Sequence, residues 1–284
     1  MSAVEPRRLE LPVPVLLEVR GPDGPRYLNG QLTQDVRLVA DGAKALYACV
    51  TDAKGKLQFR VEIHGRSAGA LCVSCDHEGA DELLMRLDRY LIADDAEIVD
   101  VSADWKRLHV TGGEASVCDG NSYAVSINRI GVPGWDVWIP SGESHPAENL
   151  PAWSADEAEA ARIAAGIPAW GKELEAGMLP PEAGLERTDI SYAKGCYIGQ
   201  EVISRIKSAG KVNRRLTKLS VPESAACAAG DPLLIEEGRE AGVVTSVSPQ
   251  AADSARALLG YVKRTAEGQA LRLLDQTPVV IISK

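Results

Sequence analysis

Aromatic residues are scarce in this chain of 284 residues, which holds one Phe (Phe59), five Trp and seven Tyr. The core must therefore be aliphatic and rich in Ala, not built on stacked rings. Positive charge is not in excess either. Lys and Arg number 31 against 40 Asp and Glu, a formal charge of −9. That balance excludes a broad, non-specific nucleic-acid surface, because neutralising phosphates needs clustered cations. No run approaches the roughly 18 consecutive apolar residues of a membrane span. The opening residues Met1-Ser2-Ala3-Val4-Glu5-Pro6-Arg7-Arg8 lack the apolar stretch of a secretory signal. Six cysteines, at positions 49, 72, 75, 118, 196 and 227, are few and scattered. Together these absences predict a reduced, cytoplasmic protein with free thiols and no membrane partner.

What is present is a globular composition, 45% apolar and 25% charged. The length allows more than one folding unit. Strands are expected over 15–20, 45–51, 57–64, 70–74, 97–101, 107–111, 123–128 and 135–139. Residues 52–56, Asp-Ala-Lys-Gly-Lys, read as the turn of a hairpin. Helices are expected over 26–36, where Tyr27, Leu28, Leu32 and Val36 lie near one face, and over 81–92, where Leu83, Leu84, Leu87 and Leu91 do. Ser154 followed by Glu157 has the form of a capping box, opening a helix that Gly166-Ile167-Pro168 ends. Residues 171–194 form a long irregular stretch of the kind that is functional or disordered. A further helix is expected over 199–208, with Val202, Ile203 and Ile206 turned inward. Beyond it, short strands over 212–221, 232–236, 241–246, 257–262, 271–274 and 278–283 predict a small barrel or sandwich. A boundary near Gly210 and Lys211 divides 1–210, an α+β region of two interleaved subdomains, from a C-terminal β-domain over 211–284.

The octet Lys194-Gly195-Cys196-Tyr197-Ile198-Gly199-Gln200-Glu201 concentrates the residues that carry chemistry. Gly195 and Gly199 permit backbone conformations closed to other residues. A helix opening at Gly199 turns free amides and the positive end of its dipole toward residues 196–198. A thiol there, beside Lys194, is expected to have a lowered pKa and some thiolate character. Cys196 is therefore either a reactive thiol or a small buried residue filling a tight turn.

The octet resembles the signature of the YgfZ family, within the superfamily of the glycine-cleavage T-protein. Other segments agree in order along nearly the whole chain. They are Tyr27-Leu28-Asn29-Gly30-Gln31-Leu32-Thr33-Gln34-Asp35-Val36, the hairpin turn at 52–56, Ala165-Gly166-Ile167-Pro168, and Ala241-Gly242-Val243-Val244-Thr245-Ser246. The resemblance implies an α+β aminomethyltransferase-like fold: three subdomains in a ring around a centre that binds tetrahydrofolate, closed by a small C-terminal β-barrel. It also implies a role in assembling or repairing iron–sulfur clusters of client enzymes, one of which thiolates tRNA, so that the effect on tRNA is indirect. On this reading Cys196 and Lys194 are the active pair. Tyr197, Trp170 and Tyr192 are candidates to stack on the pterin, and Asn29, Gln31, Asp35 and Gln200 to bond its edges. Glu201 either meets the ligand or caps the helix start.

Two departures bear on activity. Aminomethyltransferases of the superfamily usually carry an acidic residue just past the hairpin glycine, facing the reacting nitrogens of the folate. Here the stretch is Lys56-Leu57-Gln58-Phe59-Arg60, and an amide cannot exchange a proton near neutral pH. The Glu that often precedes the glycine ending the long helix is replaced by Ala164 and Ala165. Three readings remain: a folate-binding maintenance factor for iron–sulfur proteins, an aminomethyltransferase, and a scaffold without folate. Arg205, Lys207, Lys211, Arg214, Arg215 and Lys218 form a local basic run. It suits a folate's glutamate tail, above all at Arg205, or an acidic client surface; it equally suits a solvated helix end. Cys72 and Cys75, three apart in a strand, fall on opposite faces and lack a second pair, so they read as core cysteines and no tightly bound metal is expected.

Overall fold

The computed structural model describes residues 5–66, 69–77, 79–112, 120–210, 212–236 and 238–282; Cys118 and Lys211 lie outside the described residues. Two compact units emerge. The first comprises Met1–Asn128, Val132–Trp153 and Leu185–Ser204, the second Arg129–Gly131, Ser154–Gly184 and Arg205–Lys284.

The first unit contains strands β1 (Arg7–Leu9) and β2 (Val15–Arg20), helix α1 (Gly24–Gln31), and strands β3 (Ala45–Thr51), β4 (Leu57–Gly65) and β5 (Leu71–Cys75). Helix α2 (Leu83–Asp88) and strands β6 (Glu97–Asp100), β7 (Trp105–Thr111), β8 (Tyr123–Asn128) and β9 (Pro133–Pro140) follow. They form a five-stranded sheet in the order β3-β4-β5-β2-β6 and a four-stranded sheet in the order β1-β7-β9-β8. Both faces of the larger, antiparallel sheet are covered, and β4 accordingly buries Glu62 and His64 as well as its apolar residues. Leu17, Val19, Ala48, Val50 and Val73 pack with Tyr27, Leu28, Leu83 and Leu87 of α1 and α2. Their neighbours Leu16, Ala45 and Cys72 point the other way and meet Val125, Ile127 and Trp138 of the smaller sheet. Cys72 and Cys75 accordingly sit in different clusters, both buried.

Both N-terminal helices are shorter than their apolar patterns predict. Helix α1 stops at Gln31 because Leu32 is extended and bridges Val50, while the Thr33 amide donates to the Cys49 carbonyl. Its apolar period then continues into a separate 3₁₀ turn over Val36–Val39. Helix α2 ends at Asp88, where the backbone tightens: the Tyr90 amide turns to the Leu87 carbonyl, which also accepts from the Tyr27 hydroxyl, and the Leu91 amide turns to Asp88. Apolar residues alone do not extend a helix whose backbone groups pair elsewhere.

The second unit holds α3 (Ala155–Ala165) and six strands, β10 (Arg214–Pro222), β11 (Pro232–Leu234), β12 (Glu240–Ala252), β13 (Ala255–Lys263), β14 (Leu271–Arg272) and β15 (Pro278–Ile281). The strands close a barrel in the order β10-β13-β12-β11-β14-β15. The capping box is present: the Ser154 hydroxyl accepts from the Glu157 amide, and the Glu157 carboxylate accepts from the Ser154 amide. Gly166 ends the helix in the left-handed region, at φ 77°. Buried Glu173 anchors the irregular stretch that follows, which is ordered here. Its carboxylate accepts from Arg162 at 2.9 Å, Thr245 at 2.9 Å, Ser246 at 2.5 Å and the Ala169 amide at 3.0 Å. Among the described residues no helix is long and apolar enough to cross a membrane.

Candidate functional site

Within the first unit the octet is pinned to two other segments. Buried Lys194 donates from Nζ to the carbonyls of Asn29 at 2.5 Å, Leu32 at 2.6 Å and Gln34 at 3.0 Å, closing the end of α1. The Ile198 amide donates to Gly30, and the Thr51 hydroxyl of β3 donates to the Ile198 carbonyl at 2.5 Å. Gly199, at φ 88°, packs directly on the β3–β4 turn. Helix α4 (Gln200–Ala209) starts immediately afterwards and buries Ile203. The α1 end, the hairpin and the octet therefore form one assembly.

Cys196 is exposed on the turn between these anchors. The other described thiols are withdrawn. Cys49, Cys72 and Cys75 are buried, and burial raises all three pKa values, that of Cys72 to about 12; burial likewise holds half-covered Cys227 at about 11. Cys196 is thus the most accessible described thiol, and the buried turn-filler reading is not what the fold shows.

The expected source of thiol activation is differently arranged. All three ammonium protons of Lys194 go to carbonyls of the α1 end. Burial pulls the Lys194 pKa down to about 8, although those acceptors favour the proton in place. The amides near the α4 start are also engaged: Tyr197 with the Gln200 side chain, Ile198 with Gly30, and Gln200 with the Tyr197 carbonyl.

A solved aminomethyltransferase shares this architecture, and YgfZ-type proteins are similar in sequence. A glycine cleavage system aminomethyltransferase T from Bartonella henselae superposes with a TM-score of 0.84, covering 99% of this chain and 86% of that one at 16% identity. The tRNA-modifying protein YgfZ of Klebsiella pneumoniae is 28% identical over 252 residues, 78% of this chain and 74% of its own. A mitochondrial iron–sulfur cluster assembly factor IBA57 homolog of Neurospora crassa is 25% identical over 288 residues, 90% of this chain and 65% of its own. No protein-family model matches the chain. The chain is thus similar in sequence to YgfZ-type and IBA57-type proteins, and its fold is that of the glycine-cleavage aminomethyltransferase.

The residues singled out by sequence divide by unit. Asn29, Gln31, Asp35, Tyr192, Lys194, Cys196, Tyr197, Gln200 and Glu201 belong to the first; Trp170 and Arg205 belong to the second. Several already have work within the fold. Asn29 accepts from the Val36 amide, and Asp35 caps the 3₁₀ turn while pairing with Arg37 at 2.6 Å. Tyr197 is buried with Ile190, Ile203 and Tyr192, beneath the Lys194 ammonium at 5.2 Å from its ring centre. Its hydroxyl has no partner among the described residues, and burial raises its pKa. Glu201 is exposed in the first turn of α4. Sequence reasoning missed Arg86 of α2, which reaches Gln58, Gln31 and the Thr51 carbonyl. Its place beside Leu87 in the apolar stripe of 81–92 was the available signal. Among the described residues no cluster of His, Cys, Asp and Glu is placed to hold a metal.

Proposed function

We propose that the protein binds a tetrahydrofolate and supports iron–sulfur cluster assembly or repair in client enzymes of a reduced, cytoplasmic compartment, with Cys196 as its key residue. Relatives named for tRNA modification and for cluster assembly support the role. The two names agree if the tRNA-modifying enzyme is itself an iron–sulfur client. No contact with tRNA is then needed, in keeping with a net charge of −9. The observation that carries the reading is the exposed Cys196 on a turn fixed by Lys194 and Thr51, while Cys49, Cys72 and Cys75 are buried. Folate enters through the superfamily and its aminomethyltransferase fold.

Two measurements test this. Tetrahydrofolate titrated into the protein is expected to give saturable binding; its absence leaves a scaffold without folate. A Cys196→Ser variant that folds normally is expected to lose rescue of a cluster-deficient strain, and full rescue removes the thiol from the mechanism.

The fold itself favours one rival, a working aminomethyltransferase. Against it stands Gln58, a neutral amide bound to Arg86 at 2.6 Å where such enzymes need a proton-handling carboxylate. Turnover of an aminomethylated carrier protein decides between the two.

A further inference from the structure

Arg86 differs from three other arginines that this protein wholly or partly buries. Arg60 faces Asp189 at 2.7 Å, Arg107 faces Glu62 at 3.4 Å, and Arg162 faces Glu173 at 2.9 Å. Arg86 faces only neutral acceptors: Gln58 Oε1 at 2.6 Å, Gln31 Oε1 at 3.2 Å and the Thr51 carbonyl at 3.0 Å. Its guanidinium lies 4.8 Å from the centre of the Tyr90 ring. Burial weakens its hold on the proton, Arg89 repels it, and Asp52 attracts it weakly, with a carboxylate already accepting from the Lys54 and Lys56 amides. A half-buried charge without a counter-charge costs free energy that a bound anion recovers.

The two glutamines add to this. Each turns its oxygen to the guanidinium, so each amide nitrogen points away from it, and neither nitrogen has a partner among the described residues. Gln31 is only 7% exposed. A guanidinium has five N–H groups, of which three are used here. The cluster thus offers free donors and one positive charge, while its three acceptor oxygens are turned to the guanidinium.

We infer that Arg86, Gln31 and Gln58 form a binding site for the carboxylate group of a small-molecule ligand. One negative charge balances one guanidinium, and charge-assisted hydrogen bonds strengthen where water is partly excluded. A phosphate dianion would leave an excess charge in the same half-buried place, which disfavours it. The inference does not depend on folate: the carboxylate source is a free dicarboxylate, or the glutamate tail of a folate in a pose other than the one that sets its reacting nitrogens against position 58.

The test is calorimetric titration of the full chain with glutarate, with 4-aminobenzoylglutamate and with inorganic phosphate. Wild-type protein, Arg86→Gln and Gln58→Asp are compared after thermal melts establish folding. Gln58→Asp retains Arg86 and gives it an internal carboxylate, so it reports even if Arg86→Gln fails to fold. At least one carboxylate probe is expected to bind wild type and to weaken tenfold or more in each folded variant. Binding of both probes points to a dicarboxylate, and binding of 4-aminobenzoylglutamate alone to a folate tail. Equal affinity in the variants, no binding of either probe, or Arg86-dependent binding of phosphate alone overturns the inference. Glutarate binding without tetrahydrofolate binding supports this site while sinking the folate proposal.

Discussion

Gly199 lies against Gly55 so closely that a Cβ on Gly199 would fall 2.8 Å from the Gly55 Cα and 2.5 Å from the Asp52 carbonyl oxygen. Both obstacles are backbone, so no rotamer relieves the clash, and φ at Gly199 is 88°. Gly199→Ala is expected to cost about 2 kcal/mol or more, or a melting decrease of several degrees. Gly30→Ala is the control: it meets nothing within 4 Å and sits inside α1, where Ala is favoured by up to about 1 kcal/mol. Equal melting of the two variants would contradict the packing.

Lys194 should prove a structural staple as well as a member of the octet. Its removal strands three carbonyls at the α1 end. Lys194→Met is expected to lose about 2–4 kcal/mol, since buried acceptors are left unpaired. Amide hydrogen exchange should rise in 28–36 and 194–201 before it rises in the sheets. Unchanged protection in both segments would show that the ammonium does not hold them.

The fold was legible where local signals and burial agreed. The strand at 123–128, the capping box at Ser154 and Glu157, and the closed barrel were all readable because period, turns and caps pointed the same way. Helices α1 and α2 were overestimated because the apolar period carries neither the pairing with distant Cys49 that ends α1 nor the tightened turn that ends α2. The octet was readable as a motif, but not the direction of the Lys194 side chain, which is set by carbonyls some 160 residues away. Arg86 was hidden for the same reason: a lone arginine on an amphipathic helix acquires meaning only when Gln31, Gln58 and Thr51 are brought to it.

Thiol labelling gives an independent reading of accessibility. Brief treatment of native protein with iodoacetamide is expected to modify Cys196 before Cys49, Cys72 and Cys75. Thiols that are buried and harder to deprotonate react only on opening. Peptide mass analysis resolves the four sites. Modification of Cys72 or Cys75 at the rate of Cys196 would mean that β5 is exposed in solution.

The last expectation concerns acid. His64 is buried beside Tyr123, at 3.1 Å from its hydroxyl, and packs on Trp138. Burial lowers its pKa from 6.5 to about 4; Asp136 pulls it up, and Arg107 and Arg66 push it down. The folded-state pKa is the lower one, so between these values the unfolded chain binds more protons. Stability contributed by the neutral ring is therefore present above pH 6.5 and is lost as pH falls through about 4. The full shift corresponds to about 3 kcal/mol at most. Glu159, held at about 2 by Arg162 and Lys172 against the opposing effect of burial, adds a loss only below about 4.5. Urea unfolding at pH values from 7.5 to 4.5 should show wild type losing stability across this window, while His64→Phe, which cannot protonate, loses less. Parallel slopes for the two proteins would assign the acid sensitivity to other groups.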